Sequence, residues 1–321
     1  MANETRQREA TVDGAVGAGS TIAARRPVTR GTLRWFWALA FGLGWGTAVV
    51  MMLFQERIEA IFGEIGYTNP VFILVVWSPG LAGIYLVWRH FGRAGLKSYF
   101  RRLTLWRMPP VWWGVLLLGI PAVKYMGAAL NGTITDFPFS PWYGLLPALA
   151  ATALIGPIEE FGWRGVALPL LQRRFAPFWA SLILGAIWGF WHLPAFLLGS
   201  TEQSDWAFGP FVIGVLSIAI ILTPMFNAAR GSIAIAALYH FQLNGPAWPD
   251  AQPWENYLFA ALAVAVVVFY RKQMFSRDGA VQEVLMPERK GRTAEIAING
   301  SGRPSSGRVT GRRIDMQEAS R

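Results

Sequence analysis

The chain has 321 residues, 53% of them hydrophobic and 15% charged, with a mean hydropathy of +0.34. Soluble domains run near a quarter charged, so the composition excludes an ordinary soluble domain and points to a membrane protein. The absence of cysteine excludes disulfides, thiolate metal sites and a cysteine nucleophile. The net charge of +10 does not read as a nucleic-acid surface, because the basic residues cluster beside apolar segments as orientation signals do.

Residues 1–30 are polar, without a periodic apolar face, and read as a disordered cytoplasmic arm. The first apolar stretch begins near Leu33 and has the ~20-residue length of a spanning helix, too long for the core of a cleaved signal peptide. Apolar segments follow one another at 33–54, 70–88, 111–130, 143–171, 177–198, 208–226, 231–244 and 257–270. They predict an all-α polytopic bundle of about eight transmembrane helices across residues 31–270. The seventh and eighth fall short of the ~20 residues a span needs and must borrow flanking residues. The fourth is long and carries Pro157, which predicts a kink or a late start.

The connections sort by charge. Residues 89–107 hold Arg89, Arg93, Lys97, Arg101, Arg102 and Arg107 with no acid, and place His90 in a basic loop. Arg173, Arg174 and Arg230 occupy later connections on the same side, whereas the alternate ones hold Glu56, Glu59, Glu64, Asp136, Glu202, Asp205, Asp250 and Glu255 against Arg57 alone. The positive-inside rule then places both termini in the cytoplasm, in a plasma (inner) membrane. From Arg271 the chain turns polar and rich in Gly, Ser and Arg, so 271–321 is expected to be a disordered tail whose basic groups rest on anionic lipid.

An ionisable group inside a spanning helix costs at least ~2.5–3.5 kcal/mol at the centre and marks a candidate functional site. Of 19 acidic residues only Glu159 and Glu160 fall inside apolar segments, and of three histidines His192 and His240 do. In GPIEEFGWRG, Glu160 and Arg164 are four apart and share a helix face as an ion pair, while Glu159 is turned ~100° away and free to act as a base. In WGFWHLP, Trp188 sets an aromatic wall one turn from His192; in HFQLN, His240 and Asn244 share a face. A carboxylate, two imidazoles and a carboxamide on three segments can bind and deprotonate a water and donate to an oxyanion. Lys124 reads as a snorkelling cation near the outer end of the third helix.

The order EExxxR (Glu159, Glu160, Arg164), aromatic-xxxH (Trp188, His192) and HxxxN (His240, Asn244) resembles the CPBP family of intramembrane proteases. That group includes type II CAAX prenyl endopeptidases and bacteriocin-processing and immunity proteins. The resemblance covers a protease-like core at about 143–244 and implies an endopeptidase acting on a peptide or membrane-protein substrate at the lipid bilayer. It implies Glu159 as the residue that activates water, His192 as its holder, His240 and Asn244 at the oxyanion, and Glu160 with Arg164 as a brace. The family's second motif usually has Phe where this chain has Trp188, a change of pocket shape rather than of chemistry. Two readings of the water stay open: metal-free, or bound to Zn2+ or another divalent metal held by Glu159, His192 and His240.

Outside this resemblance the buried carboxylates fit a transporter or a scaffold or immunity protein with a buried ion site, although a transporter predicts an internal repeat and none is visible. Straight helices would set Glu159 and His192 at opposite depths, so the catalytic reading requires the fourth helix to be displaced or broken near Pro157.

Overall fold

The computed structural model describes residues 28 and 30–286. Residues 1–27 and 29 of the predicted arm, and 287–321 of the predicted tail, lie outside the described residues. Every regular element among the described residues is helical, as the apolar segments predict. In chain order these are α1 (Arg30–Leu53), α2 (Gln55–Phe62), α3 (Pro70–Phe100), α4 (Pro110–Asn131) and α5 (Trp142–Gln172). They continue with α6 (Pro177–Leu197), α7 (Phe208–Ala228), α8 (Ile233–Leu243), α9 (Trp254–Phe269) and α10 (Arg271–Phe275). Among them α1, α3, α4, α5, α6 and α7 are long and apolar enough to cross a membrane. The other two predicted segments form α8 and α9, which are apolar but shorter. With 11 residues, α8 is ~16 Å long and cannot cross a ~30 Å hydrocarbon core by itself.

Of the two irregular helices that position the site, α3 departs from the sequence expectation and α5 follows it. α3 does not end in a basic loop but runs on to Phe100, bending at Gly92 (φ 67°, ψ −159°), a conformation that glycine adopts without a Cβ penalty. His90 is therefore a buried helical residue, its Nε2 3.4 Å from Thr32 Oγ1 on α1, and not a loop residue. α5 is broken at the predicted place. It is regular over Leu145–Ile155, tightens into a 3₁₀ turn at Gly156–Glu159, and widens into a π turn at Trp163–Ala167. Pro157 supplies the cause, since it has no N–H to continue the α ladder, and π turns of this kind gather at functional sites.

α3 presses against this broken stretch through glycines. A Cβ on Gly83 would stand 2.7 Å from the Phe161 carbonyl oxygen, and one on Gly162 would collide with the Pro79 carbonyl. Small residues let backbones approach where lipid offers no hydrophobic driving force between helices. The irregular turns carrying Glu159 and Glu160 are thereby clamped in a fixed place.

At one end of the bundle Arg102, read from sequence as an orientation charge, is fully buried. Its Nε donates to the Gly231 carbonyl (2.8 Å), and its Nη1 donates to the carbonyls of Gly165 (2.8 Å) and Val284 (2.7 Å). The side chain thus joins the end of α3 to the π turn of α5, the α7–α8 turn and the segment after α10. That last segment corrects the expectation of a tail disordered from Arg271. Val284 and Leu285 are buried, Gln172 Nε2 donates to the Val281 carbonyl (2.9 Å), and Arg173 Nε donates to that of Gln282 (2.8 Å). The segment is held through its own backbone carbonyls by side chains from the end of α3, from α5 and from the turn after it, which a compositional reading of the tail does not detect.

Arg102→Ala is expected to lower the unfolding free energy by at least ~3 kcal/mol, because three buried carbonyls lose a charged donor together. Denaturant unfolding in detergent measures this, and a loss below ~1 kcal/mol would mean that the carbonyls are satisfied without Arg102.

Candidate active site

Glu159 closes the 3₁₀ turn of α5 and is 3% exposed. Its Oε2 accepts from two indoles, Trp163 Nε1 at 2.9 Å and Trp188 Nε1 at 3.0 Å. Trp163 lies one turn further along α5, and Trp188 comes from α6. Glu160, the next residue, points elsewhere. Its Oε1 accepts from Arg164 Nη1 (2.9 Å) and from His240 Nδ1 (2.8 Å), with Glu160 and Arg164 both fully buried. The two adjacent carboxylates therefore have separate surroundings, one with neutral indole donors and one with a guanidinium.

The histidines are oriented from behind. His192 stands where α6 turns into its last short helical piece, and its Nδ1 is 2.8 Å from the Trp188 carbonyl oxygen. A carbonyl only accepts, so Nδ1 carries the ring proton and neutral His192 presents a bare Nε2. His240 is placed in the same manner by α8, which starts at Ser232 with the hydroxyl accepting from Ile235 N (3.0 Å). Its Nδ1 donates to the ionised Glu160. Asn244 caps the end of α8. A Cβ added to Gly156 would lie 2.6 Å from Asn244 Nδ2 and 3.3 Å from His240 Nε2. Glycine at 156, which the sequence reading did not single out, thus keeps open the ground between the 3₁₀ turn and these two polar groups.

Glu159, Trp188, His192, His240 and Asn244 all line one cavity of about 1250 Å³, while Glu160 and Arg164 lie behind its wall. The break in α5 removes the conflict of depth. Trp188 makes the link, donating to Glu159 while its ring centroid lies 5.7 Å from those of both His192 and His240. Much of the remaining wall is apolar, including Met51, Phe72, Val75 and Phe211.

Three expectations change. Trp188 in place of Phe does more than reshape the pocket, because its N–H bonds the Glu159 carboxylate and its ring carries the Arg164 guanidinium 4.6 Å from the centroid. Lys124 does not snorkel outward but faces the cavity, 2.5 Å from Glu255 at the start of α9. Glu255, assigned from sequence to an outer connection, is 7% exposed, so Glu159 and Glu160 are not alone as buried carboxylates. Hydropathy missed it because Glu255 occupies the first turn of α9, where an acid reads as a helix boundary.

The metal trio of Glu159, His192 and His240 does not fit a divalent cation as arranged. Among the described residues no three His, Cys, Asp or Glu side chains group closely enough to share an ion. Trp163, absent from the sequence-derived site, is the residue whose spacing alone carried a signal: it follows Glu159 by four.

Comparison with known proteins adds to this geometry. Residues 140–245, which include all three motifs, match the family "Type II CAAX prenyl endopeptidase Rce1-like". The chain is similar to CAAX prenyl protease 2 of Methanococcus maripaludis, 30% identical over 184 residues that cover 51% of this chain and 68% of that protein.

Proposed function

The chain belongs to the Rce1-like type II CAAX prenyl endopeptidases, a family of membrane proteases, and we propose that it hydrolyses its substrate with a water activated by Glu159. The observation that carries this reading is the convergence of Glu159, His192, His240 and Asn244 on one largely apolar cavity.

In the proposed reaction, water sits between the Glu159 carboxylate and the bare Nε2 of His192, which accepts one of its hydrogen bonds. Glu159 takes a proton as the water oxygen bonds to the scissile carbonyl carbon. The oxyanion then forms within reach of Asn244 Nδ2–H, and of His240 Nε2–H when that ring is doubly protonated with Glu160 as its counter-charge. The proton held by Glu159 passes to the amide nitrogen as the C–N bond breaks, which returns the carboxylate and releases the amine and acid products. Glu160 and Arg164 keep His240 in place behind the wall.

The substrate proposed is a peptide C-terminus carrying a prenyl chain, for which the apolar walls offer a lipid-like surface. The basic residues at the ends of alternate connections support a plasma (inner) membrane location with both termini cytoplasmic. Purified protein in liposomes is expected to shorten a farnesylated CAAX peptide, read by mass spectrometry of both fragments. A peptide that binds but stays intact would overturn hydrolysis in favour of a binding role. Cleavage confined to unprenylated leader-type peptides would overturn the substrate class alone.

A further inference from the structure

A carboxylate has two equivalent oxygens that exchange by rotation about the Cγ–Cδ bond, a soft two-fold torsion. At Glu159 this equivalence is broken. Both indole N–H groups end on the same oxygen, Oε2, one from the π turn of α5 and one from α6. An indole N–H only donates, so two of them on Oε2 occupy its lone pairs and leave Oε1 the better place for a proton.

Both indoles are held by their surroundings. Trp163 is wholly buried, edge-on to Phe36 (5.6 Å between centroids) and to Trp191 (5.9 Å). Trp188 is 4% exposed and lies beneath the Arg164 guanidinium. Neither ring can turn away without displacing a packed neighbour. The two donors also arrive on different helices, so the carboxylate reports the spacing of α5 and α6 directly.

We propose that Trp163 and Trp188 are positioning residues that fix Oε2 as the spectator oxygen of Glu159 and leave Oε1 to exchange the proton with water and leaving amine. This rests on the reading of Glu159 as the base. Its proton balance is that of the hydrolysis: one proton moves from water to Oε1 as the C–O bond forms, and the same proton leaves Oε1 for nitrogen as the C–N bond breaks. With Oε2 held, Oε1 returns to one orientation in each turnover. Without the indoles the carboxyl group turns freely about Cγ–Cδ, its plane is no longer fixed against water and His192, and once protonated it presents its O–H to the leaving amine only part of the time. The Phe usual at position 188 in the family supplies no such donor, so this chain secures its base with a bond that the common pattern lacks.

The test replaces the N–H and leaves the ring. Benzothienylalanine, in which sulfur stands for the indole N–H at nearly equal volume, is introduced at Trp163, at Trp188 and at both. Each single replacement is expected to lower kcat by about 10-fold and the double by about 100-fold, the scale of a misplaced catalytic group. KM for the farnesylated peptide should stay within about twofold, since the substrate-lining surface keeps its shape. The conservative Trp188→Phe variant should track the single sulfur replacement at that position. A double replacement with kcat within about twofold of the parent overturns the proposal, as does a loss of rate that only mirrors a loss of folded protein. Glu159→Gln in the same assay separates the two levels of inference. If it is dead while the double sulfur variant is fully active, this inference fails alone; if it is active, the base assignment fails and this inference falls with it.

Discussion

Glu159→Gln is expected to reduce peptide cleavage by a factor of about 10³–10⁴ with the fold intact, toward the upper end of what a general base contributes. The substitution keeps the side chain's shape. An amide oxygen at the Oε2 position still accepts from Trp163 and Trp188, so the two contacts at 2.9 and 3.0 Å survive. What changes is the other terminus, where a carboxylate oxygen becomes an NH₂ group that can donate but cannot take a proton from water. Activity should therefore vanish without the loss of stability that truncation to Ala would bring in so buried a position. Single-turnover cleavage in liposomes, paired with thermal unfolding, measures both properties. An enzyme that keeps more than about a tenth of its rate is using another base.

Loss of Arg164 is expected to be the most destabilising single change at the site, at about 3–5 kcal/mol for Arg164→Met, the range found when one partner of a buried ion pair is removed. Glu160 and Arg164 have no exposed surface, and the guanidinium is the positive group facing that carboxylate across 2.9 Å. Removing it leaves a buried Glu160 with only His240 as partner, and it also removes the cation above Trp188. The double variant Arg164→Met with Glu160→Gln should recover part of the loss, because no uncompensated charge then remains. The cycle isolates the pair from the packing of the Arg164 side chain. Denaturant unfolding in detergent gives the four values, and a single-variant loss under about 1 kcal/mol would show the charge to be solvated despite its burial. Recovery of stability without activity is the further expectation for the double variant, since Glu160→Gln withdraws the counter-charge from His240.

Much of the arrangement was legible in local pattern. Eight apolar segments became helices because in a bilayer each must satisfy its own backbone, which makes hydropathy a direct reading of architecture. The four-residue spacing of Glu160 and Arg164 placed both on one face, and Pro157 marked the break since a missing N–H is a property of the residue itself. The order of the three motifs was enough to name the family and the residues that would meet.

Other features were decided only by tertiary structure. That Trp163 and Trp188 aim their N–H groups at one oxygen depends on rotamers and on the approach of α5 to α6, which no residue spacing encodes. Lys124 and Glu255 are 131 residues apart and form a pair because α4 and α9 share a cavity wall. Arg102 reads as a solvated charge and residues 281–285 as free tail until the closed bundle brings the Gly165, Gly231 and Val284 carbonyls to Arg102 and the Val281 and Gln282 carbonyls to Gln172 and Arg173. Hydropathy and periodicity are properties of one stretch of chain, so they determine which segments enter the membrane and which face each presents. Hydrogen bonds between helices depend on tenths of an ångström between elements distant in sequence, and these distances exist only once the bundle has closed.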